Sequence, residues 1–374
     1  MKDSLHIVVV GAGAVGGWVG GRLALAGHAV TLVGRKGLID AVGAGGLRLR
    51  APDEHKGPTE SQVTDIQVVT SIAEAVTHGP FDLAVFSVKS YDTQNAISEL
   101  QTVEGPISGP VDRSQAQGWG RPTFISFQNG VHSEPALIEA FGAERIVAGA
   151  EMNPISAPFA GTVVLEKRRG GLGLAPCTPG ASVERWVRVF DQAVLPTRAY
   201  PDYQAMKWSK LLLNLIGNAS SAILDMSTPE VYADPRLLRL EVAMLREGVA
   251  VMRGLGLRPV ALPGYPVPLL AWSVRWAPRV ALGPVLRKMV AGGRGEKPPS
   301  LLLDLRSGRQ RSEIAELNGA IVRAGEQIGV PTPINRALTE TLIRLVEGRI
   351  QRESIRRQPG VLLALAAEMK RKAA

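Results

Sequence analysis

"HIVVVGAGAVGGWVGGRLALAGHAVTLVGR", His6 to Arg35, decides the fold. His6–Val10 is a β-branched apolar run of the kind that forms a buried strand. It enters Gly11-Ala12-Gly13-Ala14-Val15-Gly16, and an apolar helical stretch follows to Gly27-His28. A second strand, "AVTLVGR", comes next. The spacing G-x-G-x-x-G gains its meaning from that context of strand, turn, helix and strand. Gly11 suits the tight turn, Gly13 lets backbone approach a pyrophosphate, and Gly16 lets the helix pack closely on the strand. The helix N-terminus then offers free N–H groups and partial positive charge to phosphates. The expectation is an α/β fold that opens with a Rossmann-type dinucleotide-binding domain, the cofactor resting on Gly11, Ala12, Gly13, Ala14, Val15 and Gly16.

The end of the second strand selects the cofactor. An NAD site places Asp or Glu there for the ribose 2′-hydroxyl. Here the strand ends Val33-Gly34-Arg35-Lys36, with no acid before Asp40. Arg35 suits charge-assisted bonds to a 2′-phosphate, and Lys36 adds charge, so the reading is NADP(H). Two further apolar runs end in polar residues where such sheets bind ligands. "FDLAVFSVKSYDT" presents Lys89, and "RPTFISFQNGV" presents Gln128, Asn129 and Gly130.

The chain of 374 residues exceeds one ordinary core and suggests two domains. Its 45% hydrophobic and 21% charged residues are those of a globular protein. A single cysteine, Cys177, excludes an internal disulfide framework and points to a reducing cytoplasm. The N-terminus lacks the pattern of a signal peptide, and no apolar run is long enough to span a bilayer. A net charge of +9 favours anionic partners, which phosphorylated cofactors and carboxylate substrates satisfy as well as nucleic acid does. No ligand cluster for a metal is read from the sequence.

After strands near Arg145–Ala150 and Gly161–Glu166, the periodicity becomes helical. Ala205–Leu224, Asp234–Leu255, Ser312–Gly329 and Pro331–Glu347 read as helices, giving an all-helical C-terminal domain. The expected division is residues 1–200, 201–350 and a basic tail of 351–374. In the first of these helices Lys210, Asn214 and Asn218 are spaced by four among leucines, so they share one face. Polar groups on such a helix need partners when buried. A two-domain dehydrogenase binds substrate in the cleft between its domains, where Lys210 would protonate a carbonyl receiving hydride and the asparagines would orient it. A lysine suits the task because desolvation and nearby cations bring an ammonium's pKa towards neutrality.

Five segments together resemble the ketopantoate reductase (2-dehydropantoate 2-reductase) family over most of the chain: "VVVGAGAVGGWVGGRLALAGHAVTLVGR", "FSVKSYDT", "SFQNGV", "KWSKLLLNLIGNASSAI" and "SLLLDLRSGRQRSEIAELNGAIVRAGEQIGVPTPIN". The resemblance implies a Rossmann domain followed by a helical one, with Lys210 as the general acid and Asn214 and Asn218 facing the substrate. It implies that Ser300 lies near the substrate carboxylate and that Glu313 contacts the substrate hydroxyl. Lys89 and Asn129 would lie beside the nicotinamide, with Arg35 on the 2′-phosphate. The implied reaction is NADPH-dependent reduction of 2-dehydropantoate to pantoate, in coenzyme A precursor synthesis.

Departures from the family pattern are a lengthened Glu104–Arg121 loop, one extra residue between Asp304 and Glu313, and an apolar Val260–Pro299 segment bearing Trp272 and Trp276. That segment suits an oligomer interface, such as a homodimer's, a substrate lid, a membrane-surface contact or extra core packing. Glu340–Ala374 is rich in Lys and Arg, but no aromatic residue is interleaved for base stacking, so a solvated, partly helical tail is expected and no nucleic acid. Reduction of another 2-oxo acid and non-catalytic NADP(H) sensing remain the alternatives.

Overall fold

A computed structural model of the chain describes residues 4–52, 57–104, 118–277, 282–283, 286 and 298–373. Its contacts gather into two units. One comprises Met1–Gln128 with Ser133–Tyr203, the other Asn129–His132 with Gln204–Ala374.

The first unit is built on strands β1 (His6–Val10), β2 (Ala29–Val33), β3 (Leu47–Ala51), β4 (Thr59–Val63), β5 (Gln67–Val69), β6 (Leu83–Phe86), β7 (Thr123–Ser126), β8 (Ile146–Glu151), β9 (Ile155–Phe159), β10 (Thr162–Leu165), β11 (Leu172–Pro176) and β12 (Thr197–Ala199). Eight form one sheet in the order β12-β11-β8-β7-β6-β1-β2-β5. All neighbours there run parallel except β8 and β11. Strands covered on both faces need continuous apolar runs, and Ile7–Val10 and Leu83–Phe86 supply them, all fully buried. From β1 the chain proceeds outward to β5, then returns to the other side of β1 as β6. The order therefore reverses between β1 and β6, where open α/β sheets bind ligands at the strands' carboxyl ends. A second sheet runs β4-β3-β10-β9.

The first helix, Ala14–Leu25, lies between both sheets, and its glycines show why. A Cβ on Gly20 would meet Leu32 at 2.8 Å and Val9 at 2.9 Å, side chains of the large sheet. One on Gly21 would meet Leu47 and Leu49 at 2.9 Å, and one on Gly17 would meet Val163 at 3.0 Å, all from the small sheet. Glycines at i and i+4 thus line two faces of one helix, and each face receives a sheet at backbone distance. The helix-propensity cost is about 1 kcal/mol per interior glycine.

The second unit is helical. Its helices include Tyr203–Leu215, Asn218–Leu224, Thr228–Ala233, Pro235–Gly254, Val267–Trp276, Ser300–Arg306, Asn318–Ile328, Pro333–Val346 and Pro359–Lys372. Start signals are orthodox: Ser227 and Glu230 form a reciprocal capping box, and Asp234 accepts from the Arg236 N–H. Glu247, on the long Pro235–Gly254 helix, reaches across to accept from the N–H groups of Ile334 and Asn335 at 2.9 Å, capping the Pro333 helix. Its burial raises the carboxyl above its ordinary pKa despite those bonds.

Several expectations change. The single helix expected over Ala205–Leu224 is two, because Gly217 adopts φ +59° and breaks it. The Ser312–Gly329 helix begins as a 3-10 turn, Glu313–Glu316, and breaks at Leu317. The basic tail is docked: Ile355 before its last helix and Leu362 and Ala366 on that helix are buried, while Arg356, Arg357, Lys370, Arg371 and Lys372 are exposed. Basic residues there alternate with an apolar stripe, which a count of charges does not reveal. Trp272 and Trp276 are exposed at 59% and 61%, which excludes core packing for these two side chains. Most of residues 278–297, and residues 105–117 of the Glu104–Arg121 loop, lie outside the described residues. Among the described residues no helix is long and apolar enough to cross a membrane.

Candidate active site

In the first unit, the turn after β1 has the conformation its glycines permit. Gly11 sits at φ +100°, and a Cβ there would lie 2.6 Å from the Val88 nitrogen. Gly16 abuts Gly11 O and the Ser87 hydroxyl, at 2.3 and 2.4 Å from its hypothetical Cβ. Ser87, just past β6, donates to Gly11 O at 2.8 Å and ties the two strand ends together. Sequence reading passed over Ser87; its only signal was its place at the carboxyl end of an apolar run. Gly13 differs from its neighbours: nothing lies within 4 Å of where its Cβ would be. Open space above a glycine at the first helix's N-cap is what a closely approaching ligand requires.

Both helices that begin at this edge have bare N-termini. Gly13 caps the first without a side chain, and its first turn holds no acid. Arg35 caps the Lys36–Gly45 helix, again without a side-chain bond or an acid in the first turn. The two starts are adjacent, because β1 and β2 pair in register and Gly11 and Ala12 both donate to Val33 O, at 3.3 and 2.9 Å. Unpaired N–H groups and two positive helix ends thus stand side by side, with Arg35 and Lys36 exposed beside them. Bare helix ends of this kind, with open space above Gly13, fit the pyrophosphate of a nicotinamide dinucleotide. Lys89 precedes a 3-10 turn after β6. Gln128 braces the same loop, donating to Val88 O at 2.9 Å and to the Thr93 hydroxyl at 2.8 Å.

The second unit collects the other polar residues. Lys210 is buried on the Tyr203–Leu215 helix, 6% exposed, with Asn214 one turn on. The Asn214 amide donates to Asn129 Oδ1 at 3.3 Å, and Asn129 belongs to this unit although it follows β7 directly in the chain. Asn218 lies beyond the break. Its amide donates to Asn214 O at 3.2 Å, bridging the interruption, and reaches Ser300 Oγ at 3.5 Å. Its Oδ1 accepts from the Leu301 N–H at 3.2 Å. Asn214, Asn218, Asn129 and Ser300 therefore form one connected set, and Lys210 is buried one turn before Asn214 on the same helix.

Glu313 is buried at the start of its 3-10 turn, 3% exposed. That turn adjoins the Asn129 segment: Glu316 Oε2 lies 3.0 Å from His132 Nδ1 and 3.1 Å from Arg323 Nη2. Burial alone would raise the Glu316 carboxyl, but the His132 hydrogen bond and the Arg323 charge hold it below its usual value.

Glu241, fully buried, organises the break. It accepts from Gly217 N at 2.8 Å, the Ser220 hydroxyl at 2.5 Å and the Tyr232 hydroxyl at 2.9 Å. Its signal was present in the sequence: an acid four residues after Leu237 and four before Leu245, in phase with the buried stripe.

Two family models match the chain: "Ketopantoate reductase PanE/ApbA" over residues 7–170 and its "C terminal" counterpart over residues 202–346. A 2-dehydropantoate 2-reductase of Pyrococcus horikoshii is 26% identical over 335 residues, covering 88% of this chain and 94% of the relative. The crystal structure of a PanE/ApbA family ketopantoate reductase from Ralstonia eutropha superposes with a TM-score of 0.72 at 27% identity, covering 92% of this chain and 99% of that one. A D-mandelate dehydrogenase with NADH and anilino(oxo)acetate shares the fold, with a TM-score of 0.74 at 19% identity, covering 93% of this chain and all of that one.

Proposed function

The chain belongs to the ketopantoate reductase family, oxidoreductases acting on CH–OH groups, and from that membership we propose that it reduces 2-dehydropantoate to pantoate with NADPH. The observation that carries this reading lies in the second unit: Lys210 is buried one helical turn before Asn214, Asn214 is bonded to Asn129, and Asn218 is bonded to the start of the Ser300 helix.

Bound NADPH supplies the hydride. Gly11–Gly16 and the first helix's N-terminus hold the pyrophosphate, and Arg35 with the next bare helix end holds the 2′-phosphate. Lys210 donates its proton to the C2 oxygen as negative charge builds there, and its burial strengthens that interaction by excluding water. Asn214 and Asn129, bonded to each other, fix the acid's surroundings. Ser300 receives the substrate carboxylate and Glu313 its 4-hydroxyl. Asn218 has one carbonyl and one amide already engaged with Leu301 N and Asn214 O, so it holds Ser300 in place as well as facing substrate.

NADPH oxidation with 2-dehydropantoate tests the reading. Lys210→Ala is expected to lower kcat by about 10² to 10⁴, the contribution of a positioned proton donor, while binding NADPH normally. A variant with unchanged kcat rules out Lys210 as the acid. No turnover by the unsubstituted protein rules out the substrate.

A further inference from the structure

The helices Asn218–Leu224 and Ser300–Arg306 are fastened to each other at both ends. At the starting end, Leu301 N donates to Asn218 Oδ1. At the far end, Asp225 Oδ1 accepts two bonds from one guanidinium, Arg306 Nε at 2.9 Å and Nη2 at 2.6 Å. The pair therefore runs parallel. Asp225 does more than hold Arg306. Its other oxygen faces Arg352 Nη2 at 3.2 Å and Arg356 Nε at 3.0 Å, both from the chain's last segment. Next to them, Arg357 donates its N–H to Leu224 O at 2.7 Å, and its guanidinium reaches Glu230 at 2.5 Å.

Asp225 is itself held in a conformation that non-glycine residues rarely adopt, φ +51°. Its side chain is 6% exposed, whereas Arg306 and Arg356 are about half exposed. Burial alone would raise its carboxyl, but the Arg306 hydrogen bond and the three arginine charges hold it below the usual range. One nearly buried carboxylate thus collects a helix end, a second helix end and the C-terminal segment.

We infer that Asp225 is a positioning residue for substrate: by drawing Arg306, Arg352 and Arg356 together it fixes Ser300 against Asn218 and so sets the affinity for the 2-oxo acid. The inference rests on the proposed reduction for its substrate and for the place of Ser300 and Asn218 beside it. The physical link is the rigidity of two seven-residue helices pinned in register, which carries a shift at Arg306 to Ser300. It makes residues 352–356, far along the chain from the site, part of the machinery that defines KM.

The test uses Asp225→Asn and, as a surface variant that leaves the Arg306 pair intact, the double variant Arg352→Ala/Arg356→Ala. Asp225→Asn should raise KM for 2-dehydropantoate about tenfold, the weight of one charge-assisted bond. Its kcat and its KM for NADPH should stay within twofold or so of the unsubstituted enzyme. The double variant should show a smaller rise of the same kind. Amide hydrogen exchange should quicken over residues 300–306 in both variants and stay unchanged over the first helix. Unchanged KM or unchanged exchange overturns the inference, as does a fall in kcat and in NADPH affinity together, which would mark a general loss of fold. Exchange reports the pinning without substrate, so it separates failure of this inference from failure of the proposed reaction, which inactivity of the unsubstituted enzyme would show.

Discussion

Gly13 and Gly16 belong to one motif, yet replacing each by alanine should give opposite phenotypes. At Gly16 the new methyl would lie 2.3 Å from Gly11 O and 2.4 Å from Ser87 Oγ. Neither can retreat freely: the first is backbone, and the second already bonds to it at 2.8 Å. Overpacking of this kind costs about 1 to 3 kcal/mol. Loss of the Ser87 bond adds about 1 kcal/mol. The gain in helix propensity returns about 1 kcal/mol. Gly16→Ala should therefore lose about 1 to 3 kcal/mol of stability. At Gly13 no atom lies within 4 Å of the methyl, and φ of −82° is open to alanine. Its folding cost is the small difference between glycine and alanine at an N-cap, below about 1 kcal/mol. If the proposed pyrophosphate site lies over this turn, the methyl instead fills that open space, and NADPH affinity should fall tenfold or more, about 1.4 kcal/mol or above. Denaturant unfolding of the ligand-free protein and calorimetric titration with NADPH measure the two effects. If Gly13→Ala binds NADPH as the unsubstituted protein does, the phosphates do not lie over this turn and the reasoning fails.

Arg35→Ala should narrow the preference for NADPH over NADH, measured as the ratio of their kcat/KM values, and an unchanged ratio would remove Arg35 from the 2′-phosphate. Arg145, paired with Glu104 at 3.0 and 2.5 Å and largely buried against the Phe124 and Phe141 rings, should lose about 3 to 5 kcal/mol on replacement by methionine; urea unfolding reads this. Glu230 is held down from 4.5 to about 2, first by its hydrogen bond from Arg357 and then by Ser227. A depressed folded-state value gives stability that is full above pH 4.5 and disappears as pH falls through about 2. Acid titration of the unsubstituted protein and Glu230→Gln should accordingly converge across that window.

The Rossmann half was legible because each cue there is local. Strand, glycine turn and helix follow one another within His6–Leu25, and the missing acid after β2 lies in the next strand. Lys210, Asn214 and Asn218 were legible as a polar series, but not the break between them. Gly217 inside an apolar run reads as a tolerated helical glycine; what ends the helix is Glu241, twenty-four residues on, and Thr228, whose methyl would lie 2.3 Å from a Cβ at Gly217. Non-local partners leave no periodicity. The same holds for Asp225, whose arginines lie more than eighty residues away. The membership of Asn129 in the helical unit was equally hidden, because it follows β7 directly in the chain.

The doubly lined first helix has a consequence for the order of assembly. With Gly16, Gly17, Gly20 and Gly21 in its twelve residues, Ala14–Leu25 has little tendency to coil on its own, and helix nucleation is costly even for good formers. Its stability comes from outside, from β1 and β2 on one side and β3 and β10 on the other. β10 enters the chain well over a hundred residues after the helix. During synthesis the glycine turn thus emerges long before β10 does, and it is among the last parts to acquire its shape, waiting for a strand that closes the opposite wall.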